Sequence, residues 1–247
     1  MDLGLSGSRA LITAASKGLG LACASALAAE KSRVFIVSRD ENRLREVEQQ
    51  IGAVGHLAVD LAQPEAGQRA VDAAVAALGG LDILVCNAGG PPPGTFESTS
   101  LEAWDAGYQL TLMSAVRLSK AAIPHLKESG RGRIVNVTSI SVRQPIGNLV
   151  LSNAFRSAVT ALAKTLSAEL GPFGITVNNL APGMILTDRI RQLYGDNLEE
   201  VARANPTGRL GEPDELGATC AFLCSRQAGY ITGQTVGIDG GALRGVY

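Results

Sequence analysis

Ala10-Leu11-Ile12-Thr13-Ala14-Ala15-Ser16-Lys17-Gly18-Leu19-Gly20 runs from an apolar strand through a turn of small residues into a helix. Beyond the turn, Leu19, Ala22, Cys23 and Ala26 recur on one helical face. Strand, glycine-bearing turn, helix is the geometry that aims main-chain N–H groups at a phosphate. Gly18 and Gly20 have no side chain, so a diphosphate can reach the main chain and the helix can lie close to the strand. A tight turn with no ligand would use the same residues, and the rest of the chain has to decide between the two.

Outward from this unit, apolar strands alternate with helices. Residues 33–38 give a second strand and 41–51 a polar helix. Residues 55–60 read as the third strand, 63–78 as an alanine-rich helix and 81–86 as the fourth strand. The breaker cluster Gly89-Gly90-Pro91-Pro92-Pro93-Gly94 makes an ordered loop. A long helix over 101–129 follows, with an irregularity expected at Pro124. Strand 133–138, helix 153–170 and strand 174–181 come next. The stretch 183–212 is more polar and holds broken helical pieces, before helix 213–224 and strand 234–239. Continuous apolar strands alternating with helices predict a doubly wound parallel α/β sheet of about seven strands, covered by helices on both faces. With no internal repeat or linker, 1–247 reads as one domain. Ligands then sit beyond the carboxyl ends of the strands.

Composition narrows the partners. A length of 247 residues allows one such domain with a sizeable core, and a net charge of −1 leaves no electrostatic footprint for nucleic acid. No apolar run is long enough to cross a bilayer, and no basic cluster follows one, so a membrane is not an expected partner. Met1-Asp2-Leu3-Gly4-Leu5 lacks the charged and apolar regions of a signal peptide. Cys220 and Cys224 share a helical face, but with only two histidines in the chain they read as helix packing, and no metal site is expected. Cysteine usage fits a reducing cytoplasm. His56 reads as a satisfied polar residue inside a strand, and His125 as surface.

The strand ends carry further signals. The second strand closes on Ser38 and Arg39, and Lys17 sits inside the first turn. An acid after that strand holds the ribose 2′-hydroxyl of NAD, whereas a base accommodates the 2′-phosphate of NADP. Arg39 and Lys17 therefore favour NADP(H), although Asp40 adjoins Arg39. Asp60-Leu61 and Asn87-Ala88-Gly89 fall at the ends of the third and fourth strands.

Together these motifs resemble the short-chain dehydrogenase/reductase family, 3-oxoacyl-ACP-reductase-like members included, and the resemblance covers the whole chain. The first turn resembles the family's T-G-x-x-x-G-x-G, with Ala14 in place of the first glycine. That departure is mild if Ala14 keeps a negative φ and strained if it does not. Asp60-Leu61 is similar to the adenine-contacting pair, and Asn87-Ala88-Gly89 to most of N-N-A-G, with Cys86 in the first place. Pro182-Gly183-Met184-Ile185-Leu186-Thr187 resembles the P-G motif near the nicotinamide. Residues 207–213 and 237–241 resemble the C-terminal signatures. The resemblance implies a Rossmann-type fold. It also implies cofactor contacts from Thr13, Ala15, Ser16, Lys17, Gly18, Leu19, Ser38, Arg39, Asp60, Leu61, Asn87, Ala88, Gly89, Pro182, Gly183, Ile185 and Thr187.

Catalytic positions depart from the pattern. The family interconverts carbonyls and alcohols with an Asn, Ser, Tyr, Lys set. Ser139 matches the Ser. The Tyr and Lys positions hold Ser152 and Arg156, and the Asn position, placed by Trp104-Asp105, holds Thr111. Four-residue spacing keeps Ser152 and Arg156 on one helical face. Arg156 could hold the cofactor's ribose, but it cannot donate a proton at neutral pH. An alkyl hydroxyl is a much weaker acid than a phenol, which titrates near ~10. The expected reading is an oxidoreductase acting on a small-molecule carbonyl or alcohol, with an altered proton relay. A non-catalytic NADP(H)-binding sensor or scaffold is the alternative. Tyr194, in a lid-like region over 183–212, is a candidate replacement acid or lid contact. The family's usual assembly implies a homotetramer, which the apolar end of Ala242-Leu243-Arg244-Gly245-Val246-Tyr247 also suggests.

Overall fold

The computed structural model describes residues 2–246. Met1, and Tyr247 at the end of the apolar tail, lie outside the described residues. From Arg9 the chain alternates strand and helix: β1 (Arg9–Thr13), α1 (Gly18–Ala29), β2 (Arg33–Ser38), α2 (Glu41–Ile51), β3 (Gly55–Ala58), α3 (Ala66–Leu78) and β4 (Ile83–Cys86). Then come α4 (Leu101–Gly107), a π-helical segment (Tyr108–Met113), α5 (Ser114–Ser129), β5 (Arg133–Val137), α6 (Val150–Leu170) and β6 (Thr176–Pro182). Short helices α7 (Asp188–Tyr194) and α8 (Leu198–Ala204) precede α9 (Pro213–Cys224) and β7 (Thr235–Ile238).

The seven strands form one sheet in the order β3-β2-β1-β4-β5-β6-β7. Every pairing is parallel. The order reverses between β1 and β4, which opens a crevice at their carboxyl ends. Strand alternation splits the core into two layers. Leu11, Phe35, Val37, Leu84 and Ile134 pack against α3, α5 and α6. Ala10, Ile12, Val34, Ile36, Ile83 and Val85 pack against α1, α2 and α9. Cys23, Cys220 and Cys224 are free thiols buried in this second layer. His56 sits between Glu48 and Glu41, with Nε2 3.2 Å from Glu41 Oε1.

Asp82, the residue before β4, anchors the opposite edge of the sheet. It is 1% exposed. Its carboxylate accepts from the Arg9 main-chain N at 2.8 Å, from Arg9 Nε at 3.0 Å and Nη2 at 2.8 Å, and from Arg131 Nη2 at 3.2 Å. Burial raises its pKa, but the hydrogen bonds from Arg9 and Arg131 outweigh that and hold it down at about 2.

Two expectations need correction. The break in the long helix lies at Tyr108–Met113, where the helix widens into π geometry, and not at Pro124, which sits inside α5. Pro124 is on the exposed face, as is Lys120, whose carbonyl loses its helical partner to the ring and can be hydrated instead. The helix carrying positions 152 and 156 begins at Val150, earlier than 153, so Ser152 lies in its first turn.

Ala14 adopts φ +46°, in the left-handed region. Its Cβ is strained there by about 1–2 kcal/mol. Ala14→Gly is therefore expected to raise unfolding free energy by about 1 kcal/mol, after glycine's extra unfolded-state entropy is set against the relief. Urea midpoints of the two proteins check this, and an unchanged or lower midpoint in the variant would show an unstrained turn.

Candidate functional site

The site is built on the carboxyl edge of β1, β2, β4 and β5. Thr13 is fully buried, and its hydroxyl donates to Asn87 O at 2.7 Å while accepting from Asn87 N at 2.9 Å. This clamps the ends of β1 and β4 together. Gly20 is packed so closely that a Cβ there would lie 2.2 Å from Ala14 O and 2.7 Å from Asn87 Nδ2. The side chains of Thr13, Ala15 and Leu61 are buried. Pro182 likewise ends β6 buried.

Helix starts differ in how they are capped, and α1 shares the uncapped form with α3, α5, α6 and α8. Asp40 caps α2, Ser100 caps α4, Thr187 caps α7, and Glu212 with Glu215 forms a capping box on α9. No side chain caps α1, and no acid lies in its first turn. Its leading N–H groups are directed at the crevice, where an anion would satisfy them. Gly18 has φ +58°, and Thr187 Cγ2 comes within 3.7 Å of where its Cβ would be, so the loop after β6 meets the phosphate turn. Ser16 and Ser38 hydroxyls lie 2.8 Å apart, joining that turn to the end of β2.

Lys17 and Arg39 are exposed, with no ion-pair partner among the described residues. Asp40 is occupied as a cap, accepting from Arg43 N at 3.1 Å, so the sequence neighbour of Arg39 is committed elsewhere. Asp60 is half-buried and accepts from Ala62 N at 3.1 Å. Beyond Asn87 and Ala88, a Cβ on Gly89 would meet nothing within 4 Å, which leaves the crevice open there. Uncapped N–H donors with two unpaired cations fit a dinucleotide that carries an additional phosphate.

Ser139 follows β5 in extended backbone, half-buried, its hydroxyl accepting from Ser141 N at 3.1 Å. Ser152 is buried one helical turn before Arg156. Arg156 Nη1 donates to Val137 O and Thr138 O, both at 2.8 Å. One nitrogen of this guanidinium is thus committed to the carbonyls just before Ser139. Nε and Nη2 make no hydrogen bond to the described residues. Burial, with the nearby charge of Arg189 adding to it, pushes the Arg156 pKa down to about 10, so it stays protonated at neutral pH.

Thr111 lies in the π-helical segment, 5% exposed, with its hydroxyl unpartnered among the described residues. A cavity of about 20 Å³, lined by Asn87, Thr111, Asn136, Thr138 and Arg156, adjoins it and has room for one water-sized group. Tyr194 ends α7 half-buried, with no hydrogen bond to Ser139, Ser152 or Arg156.

Two features were beyond sequence reasoning. One is the π segment, which places Thr111. The other is Arg189, in the first turn of α7, which donates to Gly90 O at 2.8 Å and Pro91 O at 2.9 Å. No local signal links residues 99 positions apart.

Comparison with known proteins places this geometry. The profile of a family described as Enoyl-(Acyl carrier protein) reductase matches residues 13–242. The chain is 36% identical to the short-chain reductase protein NovJ of Streptomyces niveus, over 94% of this chain and 92% of that protein. It is 34% identical to the 3-oxoacyl-[acyl-carrier-protein] reductase FabG of Vibrio cholerae, over 97% and 98% of the two chains. A crystal structure of L-sorbose reductase from Gluconobacter frateurii, complexed with NADPH and L-sorbose, superposes with a TM-score of 0.93 at 35% identity, covering 100% of both chains.

Proposed function

Since the chain belongs to the short-chain dehydrogenase/reductase family, we propose that it is an NADP(H)-dependent oxidoreductase that interconverts a carbonyl and an alcohol through an altered proton relay. Cofactor binding is supported by the uncapped start of α1 and the unpaired Lys17 and Arg39. NADPH in the sorbose reductase complex agrees with it. The observation that carries the catalytic reading is the tie between Arg156 and the carbonyls leading into Ser139, one helical turn from Ser152.

When bound, NADPH supplies the hydride. The chain's own residues orient and polarise. Ser139 donates its hydroxyl proton in a hydrogen bond to the carbonyl oxygen. Arg156 holds the end of β5, which sets the direction of Ser139, and its charge stabilises negative charge growing on that oxygen. Ser152 hydrogen-bonds substrate or a water molecule. No phenol or other positioned acid stands at Ser139, Ser152 or Thr111, and Arg156 is tied to the end of β5, so the product's proton is drawn from bulk solvent and relayed by water hydrogen-bonded at Ser152. Lacking a positioned acid lowers the rate by about 10²–10⁴-fold relative to a phenol-bearing relative. Residues 183–212, including α7 and α8, act as the substrate lid, and the protein works in the cytoplasm. Among the described residues no helix is long and apolar enough to cross a membrane.

Saturable, NADPH-dependent turnover of carbonyl compounds by purified protein tests this reading. Tight NADPH binding with no turnover would support a sensor instead, the reading favoured by the absent phenol and ammonium.

Cofactor choice gives a sharper measurement. NADPH is expected to bind more tightly than NADH. Arg39→Ala should remove most of that difference, about 1.5–3 kcal/mol for one charge-assisted contact. Calorimetry of both cofactors on both proteins checks this, and equal affinities in the wild type would refute it.

We also propose a homotetramer. Phe96 and Leu101 are strongly exposed beside the Trp104–Phe155 edge-to-face pair, whose ring centres are 5.5 Å apart. An apolar patch on α4 and α6 is covered when copies pair through it. Light scattering at micromolar concentration should give four times the chain mass. A monomer mass would overturn the assignment.

A further inference from the structure

Among the described residues, some arginines are held by carboxylates and others, such as Arg33, Arg133 and Arg143, by main-chain carbonyls alone. Arg9, Arg43, Arg45, Arg131, Arg203 and Arg209 each pair with a carboxylate. Arg156 and Arg189 do not: among the described residues each is held only by neutral main-chain carbonyls. They are held at the tips of adjacent strands. Arg156 grips the end of β5, and Arg189 grips the loop after β4, whose Cys86 pairs with Asn136 of β5.

Bare backbone makes room for the second guanidinium. A Cβ on Gly90 would lie 2.6 Å from Arg189 Cζ, so the group lies flat on the main chain where any other residue would displace it. Two positive charges held at the ends of neighbouring strands repel each other, and the Arg189 charge already lowers the proton affinity of Arg156. An anion between them removes that repulsion. It also exchanges neutral acceptors for a charged one, and charge-assisted hydrogen bonds are roughly twice as strong.

We propose that Arg189 and Arg156 form a two-point anion site, and that the substrate is therefore a carbonyl compound carrying a carboxylate or a phosphate. This rests on the oxidoreductase reading above for the word substrate, but the anion site itself belongs to the protein. The cofactor's phosphates are expected elsewhere, at the start of α1 and at Lys17 and Arg39. Arg189 is the specificity-determining residue of the pair, because it is exposed and rides on the lid. It can leave Gly90 and Pro91 to meet a ligand, while Arg156 stays fixed. The Nε and Nη2 groups of Arg156, which have no protein partner among the described residues, provide the second point.

Calorimetric titration decides the matter. Three pairs of probes are used: 2-oxopentanoate against 2-pentanone, benzoylformate against acetophenone, and dihydroxyacetone phosphate against dihydroxyacetone. Each is titrated into the protein saturated with NADP⁺, which prevents turnover, and into the cofactor-free protein. At least one anion should bind about 10-fold or more tightly than its neutral partner, the value of one charge-assisted hydrogen bond. Preference in the first two pairs identifies a carboxylate, and preference in the third a phosphate. Arg189→Gln should bring that anion within about 3-fold of its neutral partner while leaving NADP⁺ affinity unchanged. Equal affinities in all pairs, or no anion binding up to about 10 mM, overturn the proposal. So does a preference that survives Arg189→Gln, or a loss in that variant of NADP⁺ binding alone. Failure of the wild type to bind NADP⁺ would fell the oxidoreductase reading, and the cofactor-free titrations still decide the anion site.

Discussion

Ser152→Tyr combined with Arg156→Lys is expected to raise carbonyl reduction by about 10²-fold or more, roughly 3 kcal/mol of barrier. The gain comes from one missing component. Ser139 already follows β5 with its hydroxyl available to an oxygen, and α6 already carries positions 152 and 156 on one face. What the site lacks is a group that can give up a proton near neutral pH. A phenol beside an ammonium supplies it, because the nearby positive charge favours the phenolate and lowers its pKa. Lysine at 156 also keeps a charge next to Val137 O and Thr138 O, so the end of β5 stays anchored. Ser152→Tyr alone should gain less, since the wide planar guanidinium crowds the ring. Adding Thr111→Asn completes the family's set. Ser139→Ala in the restored background should abolish the gain. Initial rates with NADPH over a panel of ketones, aldehydes and oxo acids measure the effect, with thermal melts confirming that each variant folds. If the restored variant stays inert while binding NADPH, the pocket does not present carbonyls, and the sensor reading gains. If the wild type turns over a substrate that the restored variant cannot, Ser152 and Arg156 serve a different chemistry.

Asp82→Ala should cost about 3 kcal/mol of stability, the low end for breaking a buried pair. Removal of the carboxylate strands the Arg9 main-chain N–H and two guanidinium groups at once. The cost is moderated because Arg9 and Arg131 side chains are 26% and 53% exposed and can be partly rehydrated. A pH dependence accompanies it. The folded pKa of Asp82 is depressed, from 3.8 to about 2. Its contribution is therefore complete above about pH 4 and is lost as pH falls from there through 2, to the extent of about 2 kcal/mol. Urea melts at pH 7 and pH 3 check both parts. Asp82→Asn should flatten the dependence in that window. Equal sensitivity of wild type and variant would show that other carboxylates govern acid unfolding. Because Asp82 lies at the edge opposite the crevice, NADPH affinity of the folded variant should not change.

Much of this molecule could be read from its sequence, and the exceptions share a cause. The first turn and the alternation of strands and helices are local patterns of apolar period and glycine spacing and lie where those patterns put them, although the helix bearing Ser152 and Arg156 starts three residues earlier, at Val150. Position 14 was ambiguous because the sign of φ at an alanine is decided by the neighbouring strand and by Asn87, not by the residue itself. The widened turn around Thr111 has no signature in Leu110-Thr111-Leu112, since π geometry arises from how a helix is seated on its neighbours. Arg189 on Gly90, and Arg9 on Asp82, join residues 99 and 73 positions apart. Charges that meet only after folding leave no period to read. The tie from Arg156 to Val137 O and Thr138 O was hidden for the same reason, because it joins α6 to the end of β5, 19 and 18 positions away.

The strand order has a consequence for how the chain is made. β1 sits in the middle of the sheet, flanked by β2 on one side and β4 on the other. During synthesis β2 is complete at Ser38, but the second neighbour is not complete until Cys86. At ordinary rates of translation, one flank of this central strand waits roughly 2–10 s for its partner. An unpaired strand edge of that kind invites pairing with another nascent chain. The arrival of β4, with the clamp from Arg9 to Asp82, therefore marks the moment at which β1 is covered on both sides, and the open edge passes outward to β4 until β5 is made.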